Sequence, residues 1–148
     1  MKRHVFPAAA LVALLAAPSW AAPSVDLKQT SDFIAATMMN STSSARKESY
    51  QSVSFQGCRL DYTVSGTYPS GGLYTIRFRD LDFASLDAAG SKTGQDYTDY
   101  VVLRFQKPFS YQSLTDTLAV STTVINVADR EAAQSLLEAS LRLAGQCR

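Results

Sequence analysis

The apolar positions of this chain change period twice. From Ala22 to about Asn40, Leu27, Ile34 and Met38 fall on one helical stripe with Phe33 beside it, which predicts a helix. Ser41 to Ser49 is small and polar and reads as a loop. From Tyr50 the period becomes two. Val53 and Phe55 alternate with polar neighbours, Gln56-Gly57 interrupts as a turn or bulge, and Cys58, Leu60, Tyr62 and Val64 then alternate with Arg59, Asp61 and Thr63. That pattern puts Cys58 on the apolar face of a strand. Gly66 to Gly72 is a turn region. Tyr74, Ile76 and Phe78 give the cleanest strand signal. Asp80 to Asp87 reads as a short edge strand or turn, and Ala88 to Asp96 as a loop.

Tyr97 to Phe105 is apolar on both faces, as a central strand is, and Lys107-Pro108 is expected to break it. Two more strands are expected between Phe109 and Val127, the last from Thr122. The period then returns to that of a helix. Leu136, Ser140, Leu143 and Cys147 share one face of a segment from about Arg130 to Gln146, with Asp129 as N-cap and Glu131 in the first turn. The order helix, strands, helix predicts an α+β fold: a curled antiparallel sheet of six or seven strands, an N-terminal helix and a capping C-terminal helix. The expected organisation is a leader over 1–21, a helix and polar loop over 22–49, and one domain over 50–148.

The first residues alter the working composition. Met1-Lys2-Arg3-His4, an apolar run from Val5 to Ala17, and small residues at Ser19 and Ala21 form the three parts of an export signal. The run is shorter than the ~20 residues of a membrane span. Cleavage is expected after Ala21. Removing 21 of the 148 residues leaves 127. Lys2 and Arg3 leave with the signal, so 14 basic residues become 12 against 13 acids, and the net charge of +1 becomes −1. The one His and the one Trp are His4 and Trp20, and both go. A mature chain without His has no Ser-His-Asp triad, Cys-His pair or His-ligated zinc. A balanced charge also speaks against nucleic-acid binding by phosphate neutralisation. No cofactor and no metal site is expected.

Cys58 and Cys147 remain. In an oxidising compartment they are expected to pair, clamping the last helix to the sheet. Free thiols or an intermolecular bond are the alternatives.

Gly57-Cys58 in an early strand, Asp80-Leu81-Asp82 after a later one, the Asp129-Arg130-Glu131-Ala132-Ala133 helix start and Cys147 at its end form a set. Together they resemble small secreted bacterial proteins with a pleckstrin-homology-like fold. The resemblance covers most of Tyr50 to Cys147. It implies a strongly bent sheet capped by a C-terminal helix, and a role in binding or scaffolding. It carries over no catalytic residues, and the basic phosphoinositide pocket of some members has no clear counterpart.

Ser44 with Lys47, Ser31-Asp32 and Lys92-Thr93-Gly94 match motifs of penicillin-recognising serine enzymes, but their order and settings are wrong for that chemistry. Asp80 and Asp82 read as turn caps more readily than as a catalytic or Ca²⁺-binding pair. Arg59, Arg77, Arg79 and Arg104 lie on polar strand faces and could hold an anion if brought together, although acids are interspersed. Tyr68, Tyr97 and Tyr100 are candidates for a contact patch, since tyrosine offers area at low entropy cost. The leading expectation is a periplasmic or secreted binding module without catalysis, whose partner is a protein or a cell-envelope component. The alternatives are a secreted inhibitor or immunity-type protein, inserting a loop at Ser65–Gly72 or Ala88–Tyr97, and a carboxylate-based hydrolase.

Overall fold

The computed structural model describes residues 25–43 and 47–148. The expected export signal and its cleavage site lie outside the described residues. The chain runs α1 (Val25–Met39), β1 (Thr42–Ser43), β2 (Glu48–Gln56), β3 (Arg59–Thr67), β4 (Leu73–Asp82), a 3₁₀ turn (Phe83–Ser85), β5 (Lys92–Gln95), β6 (Asp99–Gln112), β7 (Thr117–Val127) and α2 (Arg130–Gln146). The fold is α+β, with all strand pairs antiparallel.

The ladder order is β1-β2-β3-β4-β6, and β6 also pairs β7 and β5. The long strand β6 is the hinge of this arrangement. One of its edges carries β7. Its other edge carries β5 opposite Asp99–Val102 and β4 opposite Ser110–Gln112. The interval between β4 and β5 is spanned by the segment after the 3₁₀ turn, through a Leu86–Phe105 bridge and the Asp87 amide donating to the Arg104 carbonyl at 2.8 Å.

The sequence pattern is corrected in β6 and β7. Lys107-Pro108 does not end β6, and only one strand follows Gln112. Pairing jumps from Arg104–Thr122 to Phe109–Val120, so β6 takes five steps where β7 takes two. Pro108 sits in this bulge, where its missing N–H breaks no ladder bond. The expected loop Ala88–Asp96 contains β5, too short and polar to show a period. The strand expected from Tyr50 begins at Glu48.

Cys58 is also corrected. It lies in the two-residue turn joining β2 to β3, not on a strand face. Gln56 pairs with Arg59, and Gly57 takes φ 59, a left-handed angle at the first turn position. Cys147 is the C-cap of α2, and Cys58–Cys147 is a disulfide. The bond fastens the end of the last helix to a hairpin turn. Arg148 adds a bond from Nη2 to the Leu86 carbonyl at 2.7 Å.

The core sits between the sheet and the two helices. Ile34 and Met38 of α1 and Leu136 and Leu143 of α2 are fully buried in the same cluster as Leu60, Leu81 and Ile125. The hydroxyls on the buried helix faces are satisfied by their own helices: Thr30 donates to the Asp26 carbonyl and Ser140 to that of Leu136. Asp129 caps α2 by accepting from the Ala132 amide at 2.8 Å, as expected. No helix among the described residues is long and apolar enough to cross a membrane.

Candidate functional site

Two side chains of β2 show how far the sheet curls. β2 and β7 share no ladder, with β3, β4 and β6 between them in the sheet. Yet Tyr50 of β2 donates from its hydroxyl to the Asn126 carbonyl of β7 at 3.2 Å, and Asn126 Nδ2 donates to Glu48 Oε2 at 2.5 Å. The sheet bends until its first long strand meets its last through side-chain hydrogen bonds rather than through a ladder.

A groove of about 390 Å³ lies inside this bend. One side is Tyr74, Ile76 and Phe78 of β4, and the other is Tyr100 and Val102 of β6 with Val124 of β7. Glu48, Tyr50 and Asn126 also line it, and Asp96 contributes from the β5–β6 turn. Glu48 and Asn126 are buried, at 8% and 7% exposure. Their polar atoms are tied into one network. The Tyr74 hydroxyl donates to Glu48 Oε1 at 2.5 Å, and Thr98 Oγ1 donates to Asn126 Oδ1 at 2.9 Å. Four elements, β2, β4, β7 and the β5–β6 turn, are thereby joined, β4 and β7 directly to the carboxylate and the turn through Asn126. Such a network holds its members in one geometry, because breaking any bond strands a buried polar group.

Two tyrosine rings are seated on glycine. Tyr74 pairs with Gly66 across β3–β4, and Tyr100 pairs with Gly94 across β5–β6. A methyl group at either glycine would collide with the partner ring. Each ring therefore lies over a glycine that has no side chain to displace it. Gly94→Ala is expected to dislodge Tyr100 and cost about 1–3 kcal/mol. Chemical denaturation measures the cost, and a Tyr100 ring resonance unchanged by the substitution would contradict the seating.

Burial also shifts two phenols. Burial pushes Tyr62 well above the ordinary 10.0, while its hydrogen bond with Thr123 pulls it part of the way back. Tyr50 is raised first by burial, then by the charges of Tyr62 and Glu48. Unfolded tyrosines titrate near 10.0. Between that value and the raised folded values the folded chain holds more protons, so this contribution is intact below about pH 10 and is lost as pH rises further. Denaturation midpoints should fall steeply above pH 10, and Tyr62→Phe should flatten the fall. Equal slopes in both proteins would contradict the burial argument.

The residues singled out by sequence divide. Tyr100 lines the groove. Tyr68, in the β3–β4 turn and 53% exposed, packs at 4.9 Å against Tyr74 and lines an adjoining depression of about 770 Å³ that shares Glu48, Tyr74 and Ile76 with the groove. Tyr97 is 93% exposed in the β5–β6 turn. The arginines are not gathered. Arg59, Arg77 and Arg79 are exposed on β3 and β4, and Arg104 is on the other half of the sheet. Arg79 lies 3.5 Å from Asp61, and Arg104 lies 3.9 Å from Asp87. Asp80 is held at φ 65 with its amide on Asp61, while Asp82 caps the 3₁₀ turn through the Ala84 amide. Among the described residues no group of three or more metal-ligating side chains forms.

Glu48 and Asn126, the centre of the site, were not among the sequence candidates. One signal was present. Glu48 has the same strand parity as Tyr50, so a strand begun two residues earlier would have put a carboxylate on an apolar face.

The fold and groove define a class: an α+β domain with a curled, open antiparallel sheet and a disulfide-fastened terminal helix. A comparison with protein-family models, curated proteins and solved structures finds no match to this chain.

Proposed function

We propose that this chain is an exported, periplasmic or secreted, binding module with a pleckstrin-homology-like fold, and that the groove is its ligand seat. The observation that carries the reading is the network on Glu48. A buried carboxylate on a concave, half-apolar surface does little for stability against an apolar substitute. Here it organises four elements around an accessible groove whose tyrosines are already seated. A preformed cleft with apolar walls and a few fixed polar groups is what ligand binding favours. The non-catalytic reading draws on the lack of His in the chain that export would leave.

The test is partner capture from a periplasmic extract with tagged protein and two surface variants. Val124 is half-exposed on the groove, and Ser54 is exposed on β2, opposite Asp61. Val124→Lys should abolish capture, and Ser54→Lys should retain it. Retention by both would contradict the groove as the seat. The inhibitor reading is favoured by Tyr97, a large ring almost fully exposed at a hairpin tip. A captured hydrolase that loses activity, with Tyr97→Ala restoring it, would establish that version.

A further inference from the structure

We infer that the groove receives an alkylammonium group, which names the ligand chemistry of the binding seat proposed above and rests on that reading. Charge is the first argument. Among the described residues, the side chains lining the groove include two carboxylates, Glu48 and Asp96, and no Lys, Arg or His. Two exposed lysines flank it: Lys47 lines the adjoining depression, and Lys92 pairs with Val102 across β5–β6. An anion would meet two like charges there, and a neutral ligand would leave them unanswered.

Acceptor capacity is the second argument. Tyr74 and Asn126 donate one bond to each oxygen of Glu48. A carboxylate has about four acceptor positions, so the internal network orients Glu48 without exhausting it. Asp96 accepts from the Thr98 amide through Oδ1 at 3.1 Å, which fixes the β5–β6 turn beside the groove. Its exposure leaves it in contact with solvent at the rim.

The aromatic rings are the third. Tyr50, Tyr74 and Tyr100 line the same groove. The negative face of a phenol ring attracts a cation, most strongly where water is excluded. Seating Tyr74 and Tyr100 on Gly66 and Gly94 removes the entropy cost of ordering those rings at binding. Aliphatic contact from Ile76, Val102 and Val124 suits the methylene stem that precedes an ammonium head. The same ligand chemistry is carried by a lysine side chain on a partner protein and by a free diamine.

The test is an amide chemical-shift titration of the full chain with n-butylammonium, n-butanol and butyrate. Butylammonium should shift Glu48, Tyr74, Tyr100 and Asn126 amides and bind at least tenfold tighter than butanol, and butyrate should leave them unmoved. Glu48→Gln, which keeps size and an acceptor, should weaken butylammonium tenfold or more. Asp96→Asn, at an exposed turn position that does not threaten folding, should weaken it two- to threefold. Cadaverine and Nα-acetyl-lysine methylamide distinguish a free diamine from a side chain; tighter binding of either supports the inference. Equal binding of butanol and butylammonium would overturn the cation while keeping the groove as a seat. So would unmoved groove amides in a protein whose Val124→Lys variant loses its partner. Loss of the seat itself is read separately, in a Val124→Lys variant that keeps its partner.

Discussion

Cys147→Ser should lower the stability of the fold by about 4–5 kcal/mol, the chain-entropy value for a loop of this size. The bond joins residues 89 apart in sequence. Its two ends are a hairpin turn and the cap of the last helix, so without it the loss of α2 becomes an accessible partial unfolding. α2 carries Leu136 and Leu143, both fully buried against the sheet. The remaining ties at that end are single hydrogen bonds, such as Arg148 to the Leu86 carbonyl, each worth about 1 kcal/mol. Thermal melts should drop by roughly 10–20 °C, and reduced wild type should match the variant. A melt unchanged by reductant would mean that the helix is held by packing alone.

The second large loss is expected at Phe83. Its ring is fully buried, 5.7 Å from Phe55 and 5.5 Å from Phe105 between ring centres, and Phe105 in turn meets Phe109 at 5.4 Å. This chain of rings joins the first hairpin to the bend of β6 beneath α2. Phe83→Ala removes a ring that links Phe55 to Phe105 and opens a cavity, and should cost about 3–5 kcal/mol. Phe83→Leu keeps most of the volume and should cost less. Denaturant midpoints at constant m-value measure both, and an alanine cost below about 1 kcal/mol would show that the ring is peripheral.

Much of this architecture was legible in the pattern of residues, for identifiable reasons. The closing helix was readable because its cap, Asp129, and its buried face, Leu136 to Cys147, obey one period without interruption. β4 was readable because Tyr74, Ile76 and Phe78 alternate cleanly. β6 was misread because a proline signals a break to local reasoning, whereas a bulge gives Pro108 a place where no partner needs its N–H. β5 was hidden because Lys92-Thr93-Gly94-Gln95 has no apolar residue; β6, its antiparallel neighbour, makes it a strand. The pairing of Cys58 with Cys147 was expected, but its position in a turn depended on the φ of Gly57.

The site was less legible than the fold. Tyr68 and Tyr100 were singled out by density and type, and both lie at the groove or its extension. The arginines were chosen because they share polar strand faces. A strand face is continuous only within one layer, and the bend of β6 puts Arg104 on another. Glu48 and Asn126 are 78 residues apart. No local pattern couples them, because only closure of the sheet brings β2 to β7.

Closure of the sheet is proposed to create a ligand seat between β4 and the β6–β7 pair. Site-specific photo-crosslinking tests it most directly, with a photoreactive phenylalanine at Tyr100 or Val124 inside the groove and at Ser54 or Arg79 on exposed strand positions of β2 and β4. One shared adduct is expected from both groove positions, and none from the other two. Adducts formed only from Ser54 or Arg79 would contradict it.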